Sequence, residues 1–179
     1  MPSNLVSLWP YAAVNFFYYS TLGGLVSYLA IFLSSRDFSS TEIGLVFASF
    51  TLLRVVTGHI WAHFSDKSQQ HLRWFQAGIL LTLLFLLFAS LVSDKQPLML
   101  MLILALTCFM SVISQIEVLS LNAVCGQPKD YNRIRLFGSL GFIVNAILVG
   151  WQIDNLGPAL ALYSGILAST LCLLVSLFM

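Results

Sequence analysis

"RWFQAGILLTLLFLLFASLVSDKQPLMLMLILALTCFM", Arg73 to Met110, holds two apolar runs divided by one short polar break, "SDKQP". A bilayer's hydrocarbon core is about 30 Å thick and takes about 20 apolar residues to cross as a helix. The first run, 73–93, meets that length, and the second continues to residue 122. Lipid offers no partner for a free backbone N–H or C=O, so both runs must be helical. A break this short sends the second helix back beside the first.

The same pattern extends in both directions. Polar punctuation cuts the chain into six apolar segments, at 7–34, 43–64, 73–93, 97–122, 134–153 and 157–179. The other breaks are "SSRDFSSTE", "SDKSQQHLR", "NAVCGQPKDYNR" and "IDNLGP", and all are short enough to make consecutive helices antiparallel neighbours. The apolar–polar alternation of a β-barrel is absent. Of 179 residues, 59% are hydrophobic and 8% charged, against about 25% charged in a soluble domain. The sequence therefore predicts an all-α integral membrane protein of six helices, with the lipid bilayer as its solvent.

Net charge near zero argues against nucleic acid as a partner. The N-terminus lacks a basic region and a small-residue cleavage site, so no cleavable signal is expected. Cys108, Cys125 and Cys172 show no CxxC or His spacing and read as structural filler. The second and fourth loops, taken with the first residues of the segments that follow, hold Lys67, Arg73, Lys129, Arg133 and Arg135, and only Arg36 and Lys95 lie on the opposite side. The positive-inside rule then places both termini in the cytoplasm, in an inner or plasma membrane. Segment six runs apolar to Met179 without a basic or aromatic anchor, so the protein is expected to continue past it.

Ionisable groups at membrane depth are costly and mark function by default. Arg54 lies near the middle of segment two, on a face with Phe47, Phe50, Thr51, Thr57, Gly58 and Trp61, and needs a wet cavity or a carboxylate. Glu117 and Arg135 lie equally far from Gly126, the expected loop centre, hence at one depth on adjacent helices. They form either a structural tie or a site for a polar ligand, and spacing does not choose. Tyr11, Asn15, Tyr18, Tyr19 and Leu22 make a polar aromatic stripe on segment one, with Asn145 in a similar position on segment five. These are interhelical glue or the lining of a pathway. Gly23, Gly24, Gly44, Gly58, Gly138, Gly141, Gly150 and Gly165 permit close helix approach. His59 and His63 have the four-residue spacing of metal ligands but no third ligand, so no metal is expected. "LYSG" around Ser164 lacks the glycine of a GxSG motif, and no nucleophile–base pair stands at a workable spacing, so neither enzyme activity nor a cofactor is expected.

Three stretches carry a family likeness that spans the chain. "NFFYYSTLGGLVSYLAIFLSS", "SSTEIGLVFASFTLLRVVTGHIWAHFSDK" and "DYNRIRLFGSLGFIVNAILVGW" resemble the first, second and fifth helices of major facilitator superfamily transporters. The resemblance is strongest to the branch of the phenylpropionate permeases and lactose-permease-like proton symporters, and the fifth-helix stretch is its most specific part. It implies that residues 1–179 are an N-terminal six-helix bundle of two inverted three-helix repeats. A further six-helix half would come from the same chain or from a homodimer. The implied function is proton-coupled transport of a small polar or organic-anion solute, such as an aromatic acid, sugar or nucleoside, by alternating access. The alternative is a free-standing six-helix protein with a structural or interaction role.

The resemblance also assigns residues. Glu117 and Arg135 match the charge pair that binds substrate in the sugar-transporting members, and their eighteen-residue spacing is kept. Phe142 stands where those members carry a stacking tryptophan. Arg54 matches an arginine of the phenylpropionate-type members. With Asn15, Tyr18 and Asn145 these form the expected substrate site. Two in-membrane arginines against one glutamate favour a carboxylate-bearing substrate. "AHFSDKSQQHLR" matches the superfamily's gating loop at Asp66 and Lys67, but Ala62 and Gln69 replace its glycines, and Gln70 and His71 its basic pair.

Overall fold

The structure is a computed structural model that describes residues 5–124 and 128–179. The first span consists of α1 (Leu5–Thr21), a π-helical turn (Leu22–Val26) and α2 (Ser27–Ser34). The second is α3 (Ser40–Ser68), the third α4 (His71–Leu91), and the fourth α5 (Lys95–Ser111) with α6 (Ile113–Ala123). The fifth is α7 (Pro128–Leu156) and the sixth α8 (Leu160–Ser176). Five of these spans are long and apolar enough to cross a bilayer, while α8 is shorter at 17 residues. No strand occurs among the described residues. Cys125 and Gly126, read as filler and loop centre, lie outside them.

Helix ends follow local chemistry. Ser39 and Glu42 form a reciprocal capping box at the start of α3, with Ser39 N donating to Glu42 Oε2 at 2.7 Å and Glu42 N to Ser39 Oγ at 3.3 Å. Together they satisfy two backbone donors that a helix start leaves open. The fifth helix begins at Pro128, six residues before the apolar run, with proline where a helix accepts it best. "KDYNRIR" is thus its first two turns rather than a loop. Hydropathy marks where hydrocarbon begins, whereas the helix continues into the polar layer.

Packing departs from simple neighbour order. The first span lies chiefly against α7 and α8, the fourth against α3 and α4, and α4 also against α8. Of consecutive pairs, only α4 and α5 pack extensively; α3 with α4, and α7 with α8, meet far less. Backbone approach decides this. A methyl group at Gly141 would overlap the Phe16 carbonyl, and one at Gly23 the Phe142 carbonyl. These two notches let the first span and α7 cross with main chain against main chain. Gly138 and Gly165 likewise admit Tyr19 and Leu25. Gly44 and Gly58 have open space around them, so the close-packing reading of those two does not hold.

The core is layered along the bundle. One layer joins Leu29, Phe32, Phe50, Leu86 and Leu102. A middle layer gathers Tyr18, Phe75, Ile79, Phe109 and Val112, with Cys172 fully enclosed in it. Leu8, Val124 and Ile134 close the far end. The first and fourth spans are about half buried, whereas α3 and α7 leave most of their length exposed.

Candidate functional site

The polar residues of the first span are largely committed to holding helices together. Asn15 is buried, and its Nδ2 donates to the Tyr11 carbonyl at 2.9 Å and to Ser120 Oγ at 3.0 Å, tying α1 to α6. Tyr18 is fully buried and stacks on Phe109 at 4.5 Å between centroids. Its hydroxyl donates to the Phe109 carbonyl at 3.0 Å. That carbonyl lies in the last turn of α5, where helix ends leave acceptors without an intrahelical partner. On α7, Asn145 Nδ2 donates to the Ser20 carbonyl at 2.7 Å. Of the two roles open to these residues, the structure displays the interhelical bonds.

The charged residues behave differently. Arg54 is exposed on α3, with Nη1 3.9 Å from Met110 Sδ. It edges a groove of about 470 Å³ between the second and fourth spans, lined also by Gly58, His59, Ser111 and Ser114. A contact of 2.7 Å between Thr57 Oγ1 and Ser111 Oγ fixes the two helices beside it. Arg135 is exposed on α7; its Nη1 donates to the Tyr131 hydroxyl at 3.4 Å, and the guanidinium lies 5.8 Å from that ring's centroid. Glu117, on α6, is half-buried and makes no side-chain hydrogen bond or ion pair among the described residues.

Glu117 and Arg135 are therefore not in ion-pair contact, although they interact through space. The equal-depth argument supposed adjacent helices, but α6 and α7 barely meet, and the first span packs against both. Tyr19 interacts electrostatically with Arg135 and Glu117, and Tyr18 with Arg54 and Glu117. The two tyrosines stand edge to face at 5.4 Å. Two guanidinium groups and one carboxylate thus interact through space with one tyrosine pair, and among the described residues neither arginine has a carboxylate in contact. Phe142, two turns along α7 from Arg135, is partly exposed at 39%. A guanidinium offers planar paired donors suited to a carboxylate, and a carboxylate accepts from hydroxyls.

Tyr131, in contact with Arg135, was not singled out from the sequence, whereas Tyr19 was named in the aromatic stripe of segment one. Tyr131 was legible as the residue four before Arg135, once the helix is known to begin at Pro128. At the loop between α3 and α4, Asp66 Oδ1 lies 3.8 Å from His71 Nδ1, and Ser65 Oγ contacts the same nitrogen at 2.8 Å. Lys67 sits in the last turn of α3, where a cation complements the helix dipole. Gln69 adopts a left-handed conformation, φ 54°, at the position where the gating-loop motif has glycine. Among the described residues no three His, Cys, Asp or Glu side chains gather into a metal-binding group.

Comparisons with known proteins agree with the motifs. The model of the MFS_1 like family matches residues 8–179. The maltose permease of Geobacillus stearothermophilus is 24% identical over 154 residues, covering 86% of this chain and 39% of the permease. The chain thus spans about two fifths of that relative's length. No solved structure matches it. With the family model covering nearly its whole length, the chain belongs to the MFS_1 like family of the major facilitator superfamily.

Proposed function

We propose that the chain is the N-terminal half of a secondary transporter that carries a small organic anion by alternating access, coupled to protons. A second six-helix half, on the same chain or a second copy, would close the cavity over the exposed flanks of α3 and α7. Asp66 and Lys67 would serve as a cytoplasmic gate, with both termini on that side. The packing supports a two-repeat reading. Exchange of the first span with the fourth, the second with the fifth and the third with the sixth turns the 1–5 and 1–6 contacts into 4–2 and 4–3, and keeps 3–6 on the axis. The first and fourth spans are also the two whose α-helix is interrupted, at Leu22–Val26 and at Val112. Spanning helices broken near mid-membrane at repeat-related positions mark binding sites in transporter folds.

One observation carries the substrate reading: Arg54 and Arg135 are both exposed, interact electrostatically with Tyr18 and Tyr19 respectively, and have no carboxylate in contact among the described residues. An uncompensated guanidinium in low dielectric requires an anion, and a substrate carboxylate supplies it. A sugar is the second reading, favoured by the maltose permease likeness and by Glu117, which would accept from hydroxyls. The test is uptake by the full-length protein in proteoliposomes with an imposed proton gradient. Labelled 3-phenylpropionate should accumulate and maltose should not; equal uptake of maltose would overturn the organic-anion assignment. Glu117→Gln and Arg135→Ala should each reduce uptake at least tenfold with normal insertion, and unimpaired transport by both would reduce these residues to helix packing.

A further inference from the structure

Arg133 lies two residues from Arg135, which at about 100° per residue turns the two side chains roughly 160° apart around α7. It therefore serves a different flank from the charge cluster. On that flank α1 and the first turns of α7 enclose a groove of about 430 Å³, walled by Trp9, Phe16, Phe17 and Phe137. Its lining is aromatic and aliphatic except at one end, where Asp130 and Arg133 stand. Asp130 is buried, and its Oδ1 holds Arg133 Nη1 at 3.3 Å. The Arg133 side chain is nonetheless 59% exposed, so donors remain for an outside acceptor. Lys129, exposed in the same opening turns of α7, makes two cations against one carboxylate in this stretch of the helix. The indole of Trp9, half exposed, lies on the same groove.

We infer that this groove is a binding site for an acidic phospholipid, with one acyl chain along the aromatic wall and the phosphate on Arg133. Dimensions agree. From Trp9 to Phe17 the groove follows eight residues of helix, about 12 Å, close to the roughly 15 Å depth of one leaflet's hydrocarbon. Phe16 and Phe17, edge to face at 5.3 Å, close its inner end. A concave apolar surface at membrane depth gains dispersion contacts only when a chain fills it. The basic end then selects which lipid supplies that chain, because each Lys or Arg near the membrane surface favours an anionic headgroup. Asp130 occupies one donor of the guanidinium at 3.3 Å and so competes with the phosphate for it.

Trp9 reports on the site directly. The full chain is reconstituted into dioleoylphosphatidylcholine bilayers carrying small amounts of a brominated-acyl lipid, and the Trp9 signal is taken as the difference between the parent protein and Trp9→Phe. Brominated phosphatidylglycerol should quench it at about one fifth of the mole fraction that brominated phosphatidylcholine needs. In Arg133→Gln the two lipids should quench alike. Asp130→Asn removes the competing carboxylate and should preserve or widen the preference, which separates headgroup recognition from damage to the helix start. Excess inorganic phosphate should leave the quenching unchanged. Equal quenching by both lipids in the parent protein, a preference that survives Arg133→Gln, or relief by phosphate would each overturn the assignment.

Discussion

The first and fourth spans differ from the second and fifth in nearly every physical respect. The former are about half buried and interrupted near mid-depth; the latter are single 29-residue helices with long exposed flanks. Polar groups on the inner pair, such as Asn15, Tyr18 and Ser120, are spent on each other and on the backbone. The outer pair carries Arg54 and Arg135, whose charges point at open space or at a tyrosine. Committed and uncommitted polar groups are therefore separated by helix, with the inner pair bonding within the bundle and the outer pair presenting ionic groups. Glu117 is the exception, an ionisable group on an inner helix.

The strongest way to break the division is at the notch that joins the two classes. Gly141→Leu would drive a side chain into the Phe16 main chain, which cannot yield as a rotamer can. We expect a loss of more than about 3 kcal/mol, read as loss of the folded, monodisperse species in detergent. The next effect is functional. Arg54→Gln removes an exposed charge with one weak sulfur contact, so stability should shift by no more than about 0.5 kcal/mol. Uptake of an aromatic acid should nevertheless fall at least tenfold. A large drop in melting temperature would show that Arg54 is a buried structural tie after all.

Tyr18→Phe tests the inner class. It deletes one hydroxyl and leaves the Phe109 carbonyl without that donor, while the ring stack at 4.5 Å is kept. Interhelical hydrogen bonds in bilayers average about 0.6 kcal/mol and reach about 1.7, so a loss of about 1 kcal/mol is expected in reversible unfolding. Transport at the parent rate, once corrected for folded protein, would keep Tyr18 among the packing residues. A change in substrate affinity at unchanged stability would move it to the site.

What was legible follows the same division. Apolar run length announces a spanning helix because lipid forbids any other backbone, so all six elements were visible without tertiary information. The first turns of α7 were not, since Lys129, Asp130, Asn132 and Arg133 read as loop by hydropathy although a helix can carry them into the headgroup layer. The interruption at Val112 has no proline or glycine to announce it. Partner choice was also hidden. The crossing of the first span on α7 depends on Gly23 and Gly141 meeting carbonyls far away in sequence, and these glycines look no different from Gly44 and Gly58, which meet nothing. Arg54, Glu117 and Arg135 were visible because charge in an apolar run is conspicuous, but their electrostatic link to Tyr18 and Tyr19 required the fold.

The two long outer helices also end alike, and the smallest expected effect lies there. Each passes into a left-handed residue: Gly157, φ 103°, after α7 and Gln69, φ 54°, after α3. Glycine takes that conformation without steric penalty, whereas a residue with a Cβ pays roughly 1–2 kcal/mol. At Gln69 the side chain recovers part of this, because its Nε2 donates to the Asp66 carbonyl at 2.7 Å, alongside its own backbone N–H at 3.3 Å. Gln69→Gly therefore relieves the steric penalty, loses one exposed hydrogen bond, and gains chain freedom in the unfolded state. These terms nearly cancel, and we expect a net stabilisation of no more than about 0.5 kcal/mol. If the substitution instead destabilised the protein by more than that, the Gln69–Asp66 bond would be the element that holds the loop, and Asp66 would be positioned by its neighbour's side chain and not by the turn.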